Sequence, residues 1–480
     1  MADGPNRDLL SGPIGRTLLL FALPTLASSA LQSASGSLNT LWVGRFLGEQ
    51  SLAATANGNI VMFLLVAFVF GFGMASTIYV GQAWGRADVD EARRVASTAV
   101  GAFVPVAALV AVGGWLAAPW LLDALGTPAP VVPLALAYLR VVFLSMPAML
   151  MFTLLTMALR GTGDSTTPLW FIGASVVIDS GLNPLLILGL GPLPELGIAG
   201  AGLATAIAQY VSLGAMLVWV YARDLPLRLR GAELAYLEPD IGRLRTIVAK
   251  GLPMGLQMIV ISSAALSMLT LINREGVDTT AAYSVVQQLW GYVQMPAMAL
   301  GAAVSAMAAQ AIGAERWDRV DRIARDGVIQ NVLLTGSLVL ALMLLARPAL
   351  TLFLGEGSAA LPIAIHVVRV SSWGFVAFGV ALVLFGTVRA NGQVIGPLVI
   401  LAVAMYPVRL GFALGAREWL GVDAIWWSFP VALIATMALA FALYRLGGWR
   451  YGHLLPLSHH ECEQHARCAR ETTGALSPAA

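Results

Sequence analysis

Asp179 stands near the middle of LWFIGASVVIDSGLNPLLILGL, a stretch with no other ionisable side chain. Holding a carboxylate ion inside such a run costs several kcal/mol in a membrane, so groups of this kind are scarce and usually functional. Loss of water favours the uncharged acid, which suits the side chain to taking up and releasing a proton or a small cation. Asn183 lies one helical turn further on the same face, so its amide can reach the carboxyl group or help to ligate an ion. Pro184 follows and has no N–H to donate, which frees the carbonyl of Ser180 within that turn. A carboxylate and an amide beside a broken hydrogen-bond ladder form the kind of midplane site at which transporters bind coupling ions.

Other polar residues in apolar runs are candidates to face this acid. The first run offers Gln32, Ser33, Ser35, Ser37 and Asn39, the second Asn57 and Asn59, and the sixth Thr205 and Gln209. Taken singly, each is better explained by hydrogen bonding between helices than by ligand contact. The second half of the chain has no mid-run acid. It presents Gln257, Tyr283, Gln287, Gln288, Trp290, Tyr292, Gln294 and Tyr406. Aromatic rings and amides around an apolar cleft can hold flat, lipophilic cations by stacking and cation–π contact. Pro24 weakens the first run and permits a hinge there, as Pro184 does in the fifth. Arg140, Arg369 and Arg409 fall within or near run ends, where arginine reaches to the interface.

Composition decides which elements carry these groups. Of 480 residues, 58% are hydrophobic and only 11% charged. The long apolar runs do not alternate as barrel strands do, and lipid requires every backbone polar group to be paired internally. The fold class is therefore an all-α integral membrane protein. At about twenty apolar residues per crossing, twelve transmembrane helices are expected near 14–42, 51–82, 92–118, 129–159, 165–190, 198–221, 243–272, 280–311, 322–346, 359–388, 394–415 and 423–446. Basic residues are concentrated in alternate loops, including Arg86, Arg93, Arg94, Arg160, Arg223, Arg228, Arg230, Arg243 and Arg245. That bias places both termini in the cytoplasm of a multi-pass protein of the cell membrane. Residues 1–13 are polar and do not read as a cleavable signal, so the first span is expected to be retained.

Shifting the chain by 228–229 residues superposes unusual features. Leu23-Pro24 meets Leu252-Pro253, Gln82 to Gly85 meets Gln310 to Gly313, and Arg160, Gly163 and Pro168-Leu169 meet Arg389, Gly392 and Pro397-Leu398. The shift covers six spans, an even number, so both halves insert in the same direction. The expected organisation is a segment 1–13, an N-lobe 14–221, a cytoplasmic linker 222–242, a C-lobe 243–446 and a disordered cytoplasmic tail 447–480. The lobes are two parallel-repeat six-helix bundles. The tail holds His459, His460, Cys462, His465 and Cys468. That spacing can bind a soft metal, but a solvated tail with no metal is the preferred reading.

Several segments resemble the multidrug and toxic compound extrusion (MATE) family, particularly its DinF-type branch. They are LPTLASSALQ and NTLWVGRFLG in span one, VGQAWG after span two, LRGTGDSTTPL between spans four and five, LNPLLILGLG in span five, GIAGAGLAT in span six, KGLPMGLQ in span seven and AAQAIGAERWDRV after span eight. The resemblance runs from about Leu18 to Leu446. It implies two six-helix lobes and export of organic cations in exchange for protons or sodium. It also implies an acid in span one, where this chain has Asn39. In span five the family pattern places asparagine first and aspartate four residues later, so Asp179 and Asn183 stand in exchanged order. Another branch carries a glutamate in span seven where Ile261 stands here.

These readings converge on a secondary antiporter that exports amphiphilic drugs by alternating access. Asp179, Asn183 and Asn39 form its coupling group, Gln32, Ser35, Asn57, Thr205 and Gln209 its N-lobe cavity, and Gln257, Tyr283, Gln287 and Tyr406 its C-lobe cavity. The expected partners are amphiphilic small molecules and the bilayer, with no nucleic acid, no cofactor beyond the coupling ion, and a monomeric state. A flippase for lipid-linked or polysaccharide precursors is the alternative, and it would need a strongly basic central cavity. An intramembrane enzyme would need clustered catalytic groups, whereas His366 is the only histidine before position 453 and has no acidic neighbour in its span. A channel would need a filter motif or pore ring, and the sequence shows neither.

Overall fold

The computed structural model describes residues 9–124, 126–189 and 195–451. Among the described residues there are helices, turns and bends but no strands. Eleven helices are each long and apolar enough to cross a bilayer: α1 (Ile14–Gly48), α2 (Val61–Gly85), α3 (Val89–Ala124), α4 (Val132–Gly161), α5 (Thr166–Leu188), α6 (Gly197–Ala222), α7 (Ile241–Asn273), α8 (Val277–Gly313), α9 (Trp317–Leu344), α11 (Ile395–Gly415) and α12 (Asp423–Leu446). The twelfth crossing, α10, is the pair Ala360–Ser371 and Gly374–Ala390, bent by 46°. The fold is thus an all-α membrane protein of twelve helices, in the order expected.

Local differences have physical causes. The helix that begins at Ile14 keeps helical dihedrals past Pro24, and its break falls instead at Gly48 (φ 77°, ψ −174°). Only glycine adopts that conformation without strain. The Ser28 hydroxyl donates back to the Pro24 carbonyl at 2.8 Å, a side-chain bond within the turn that follows the proline. Within α11 the turns widen over Ala404–Val408, around Pro407, as insertion of a residue into a helix requires. The linker is not a bare loop. It contains a short 3-10 turn, Gly231–Leu237, buries Leu225 and Leu227, and is tied to α3. Arg93 bonds the Pro226 carbonyl and Glu233, and Tyr236 donates to Asp90.

The two halves meet along α2, α7 and α8. At the end that carries the basic loops, repeat mates interlock reciprocally. Gln82 Nε2 of α2 donates to the Ala390 carbonyl at 2.7 Å, and Gln310 Nε2 of α8 donates to the Gly161 carbonyl at 2.8 Å. A Cβ on Gly85 would collide with the Gln310 carbonyl, and one on Gly313 with the Gln82 carbonyl. Both glycines are therefore required for backbones to approach so closely. All four residues of this seam were visible in the sequence as the Gln82–Gly85 and Gln310–Gly313 pair. The structure shows what the pair does: it joins the two halves at the basic end.

Candidate functional site

Helix α5 places the acid. It starts at a turn in which Asp164 accepts from the backbone N–H groups of Thr166 and Thr167 and from the Thr167 hydroxyl. This satisfies donors that a helix start leaves unpaired. Three turns on, Asp179 is buried, 7% exposed. Its Oδ2 accepts the Ser35 hydroxyl of α1 at 3.1 Å, and its Oδ1 accepts the Thr205 hydroxyl of α6 at 2.9 Å. Asn183 Nδ2 approaches the same Oδ1 at 3.3 Å and the Asp179 carbonyl at 3.2 Å. Three helices thus converge on one carboxylate, and every one of these contacts comes from a neutral group. None of the ion pairs among the described residues involves Asp179.

A cavity of about 320 Å³ adjoins the carboxylate, enclosed by α1, α2, α4, α5 and α6. Gln32, Ser35, Thr205 and Gln209 line it together with Asp179, so four of the five residues proposed for the N-lobe cavity meet there. The fifth, Asn57, has a side chain outside the described residues. Phe70, Phe152, Met149 and Met157 supply an apolar wall, a mixture suited to amphiphilic ligands. The Oε1 of Gln209 and the Oδ1 of Asn183 are buried without a hydrogen-bond partner, which leaves acceptors available to an ion or ligand. Asn39 is one step removed: it meets the Tyr138 hydroxyl rather than Asp179.

Arg160 departs from its sequence reading. Counted there among the basic loops, it ends α4 and lines this cavity, its Nε buried and unpartnered. The signal was available, since its repeat mate Arg389 also ends a span. It was read as topology rather than as a site.

The second half is arranged differently. Gln257 is 4% exposed and donates to the Val394 carbonyl at 3.2 Å. Tyr283, 2% exposed, packs among Trp290, Trp426 and Phe429. Neither is offered to a cleft, because both are used in holding helices together. Tyr406 shares a hydrogen bond of 2.6 Å with Ser263. Of the four, Gln287 borders a recess of about 350 Å³ between the halves, together with Ser33, Ser284, Gln288 and Tyr292. Ile261 packs against the apolar core. The unexpected residue is Arg409, 8% exposed, with its guanidinium 3.8 Å from the Phe429 ring centroid and beside Tyr283. His366, read as lacking an acidic neighbour in its span, lies 2.8 Å from Asp423 of α12. Both are about half exposed, and among the described residues no group of His, Cys, Asp and Glu is placed to hold a metal ion. The His/Cys segment after position 452 lies outside the described residues.

Comparison with known proteins follows the same division into halves. The MatE family model matches residues 24–185 and again 253–414, two blocks at an offset of 229 residues (24 to 253, 185 to 414). Among curated relatives, the probable multidrug resistance protein YoeA of Bacillus subtilis is 34% identical over 434 residues, covering 90% of this chain and 94% of its own. YpnP of the same organism, also named a probable multidrug resistance protein, is 29% identical, covering 92% and 97%. A solved structure described as the outward-facing conformation of a multidrug resistance MATE family transporter superposes with a TM-score of 0.85. It has 19% identity and covers 93% and 98% of the two chains. With both halves matched and the twelve-helix architecture in common, the chain belongs to the MatE family of membrane transporters.

Proposed function

We propose that this protein is a cation-coupled exporter of amphiphilic organic cations, a transporter rather than an enzyme, with Asp179 as the group that carries the coupling ion. The observation that carries the reading is the carboxylate at the junction of α1, α5 and α6, opening onto a cavity with an apolar and thioether wall. An ionised acid there attracts a lipophilic cation, and an incoming proton or sodium ion neutralises the acid and releases that cation. The same site cannot satisfy both at once, which is the requirement of an antiporter. The lobes 14–221 and 243–446 are the moving bodies, joined by the linker 222–242, and the seam at Gln82 and Gln310 is the closed gate of an outward-open state. Pro24 and Pro184 are the positions at which α1 and α5 deform as the lobes rock. The basic end faces the cytoplasm of the cell membrane, with both termini there, and the unit of transport is a single chain.

The names of the relatives, given to multidrug resistance proteins, support the substrate class. One observation favours the flippase alternative: Arg160 lines the cavity. It stands against Asp179 in the same space, so the cavity is not strongly basic, and the exporter reading is preferred.

The test is efflux from proteoliposomes under separately imposed proton and sodium gradients, with the parent and Asp179→Asn. The variant should insert normally yet lose gradient-driven efflux, and the gradient that drives the parent names the ion. Coupled efflux at the parental rate in Asp179→Asn removes the acid from the mechanism.

A further inference from the structure

The largest cavity described, about 1200 Å³, is not the one at Asp179. It is a cleft between α9 and α12, both of which pack on α10. Val380 and Leu384 of α10 line its floor, Val328 and Ile329 one wall, and Met437 and Phe441 the other. At the basic end the lining changes abruptly to Asp321, Arg325, Tyr444, Arg445 and Arg450. In α9 the change from charged to apolar residues occurs within the turn from Arg325 to Ile329. In α12 it occurs between Phe441 and Arg445. Two helices thus cross from polar to lipid-compatible surface at one level, and the cleft spans that level.

The charges are not balanced. Asp321 accepts from Tyr444 and from Arg450, each at 2.6 Å, which neutralises Arg450. Arg325 and Arg445 make no hydrogen bond or ion pair to an acid among the described residues, and Asp326, next to Arg325, lies near Gly15 of α1 instead. Arg445 rests over the Phe441 ring, 5.4 Å from its centroid. Among the described residues the rim therefore keeps two uncompensated guanidinium groups above an apolar slot.

The repeat supplies an independent observation. Arg325 is the ninth residue of α9, and the ninth residue of α3, its mate, is Ser97. At the same offset of 228 residues, Arg445 of α12 falls on Leu217 of α6. In the N-lobe the linker lies along the α3 flank, with Arg93 and Arg94 engaged by Glu233 and Tyr236 and the Leu237 carbonyl against Gly101. The arginine pair occurs only in the half whose cleft is open.

We propose that the α9–α12 cleft binds an anionic phospholipid, its phosphate held by Arg325 and Arg445 and one acyl chain lying along Val380 and Phe441. Guanidinium groups pair with phosphate oxygens through two parallel N–H donors, and basic pockets between membrane helices take acidic head groups. The apolar depth selects a lipid over a soluble anion.

The test uses the full chain purified in neutral detergent. It is titrated with dioleoyl phosphatidylglycerol, dioleoyl phosphatidylcholine or inorganic phosphate, and bound lipid is counted by native mass spectrometry. The parent should retain one phosphatidylglycerol and no phosphatidylcholine. The pair Arg325→Ala with Arg445→Ala should weaken that retention by about tenfold or more, whereas Arg245→Ala, at an exposed arginine elsewhere on the basic end, should not. Val380→Trp, which fills the slot and keeps the charges, should also lose the lipid. A chain ending at residue 451 should bind as the full chain does. Equal retention of both lipids, full retention in the double variant, or displacement of phosphatidylglycerol by inorganic phosphate each overturns the proposal. Binding that appears only once residues 452–480 are removed would also overturn it, by making that segment the occupant.

Discussion

Asp179 keeps its place through two hydroxyl groups from other helices, so the cost of burying it is offset by Ser35 and Thr205. A hydrogen bond to a charged group contributes about 1.5–3 kcal/mol. Thr205→Val should therefore lower the unfolding midpoint of purified protein by a few degrees and reduce coupled efflux several-fold, while Thr205→Ser retains both. Equal loss in both variants would mean that the methyl group, not the hydroxyl, matters. A sharper trial exchanges the pair. Because Ser35 and Thr205 converge on position 179 and not 183, the double variant Asp179→Asn with Asn183→Asp should recover less than about a tenth of parental coupled efflux. Full recovery would show that the acid works equally well one turn away. The acid was legible in the sequence because a lone carboxylate in an apolar run has few explanations. Arg409 was not, because an arginine near a span end is ordinarily a snorkelling residue. The repeat held the clue: at an offset of 229, Asp179-Ser180 falls on Val408-Arg409. Gln257 and Tyr283 were chosen by side-chain type. A helix apolar on all sides does not reveal which face meets a cavity and which meets a neighbour.

The closed seam depends on paired elements. Each of its two glutamine hydrogen bonds contributes about 1 kcal/mol between membrane helices, so losing both should change the ratio of open to closed basic end by roughly thirtyfold. Spin labels on Arg86→Cys and Ala314→Cys, in a chain with Cys462 and Cys468 changed to serine, report that opening. Adding Gln82→Ala and Gln310→Ala should extend the distance distribution, and an unaltered distribution would assign closure to packing alone. Bulk at Gly85 acts on the same contact, and Gly85→Val should impair assembly outright. Element positions were well read from hydropathy, since twenty apolar residues have few other destinations. The bend in α10, the break at Gly48 and the widened turn of α11 were not, because hydropathy follows apolar length, whereas these are local backbone features, set at Gly48 by a positive φ and in α11 beside Pro407.

At the scale of the molecule, the repeat was the most legible feature: a shift carried by a few residues recurs as two matched blocks and a reciprocal contact. What duplication conceals is divergence. One half encloses a carboxylate and a cavity, and the other buries an arginine among aromatic rings. Sidedness is testable by itself. A cysteine placed at Arg347 should react with an impermeant maleimide added to intact cells, and one at Arg322 should react only after lysis. The reverse pattern would overturn the assignment of the basic end to the cytoplasm.

The choice of hydroxyls around Asp179 has a last consequence. Serine and threonine O–H groups turn about one bond and either give or receive, unlike the fixed fork of an arginine. When the carboxylate gains a hydrogen, its partners need only swivel, and the junction of three helices keeps its stitches in both charge states. Under the proposed coupling role, loading and unloading then proceed without first tearing the protein apart at that point.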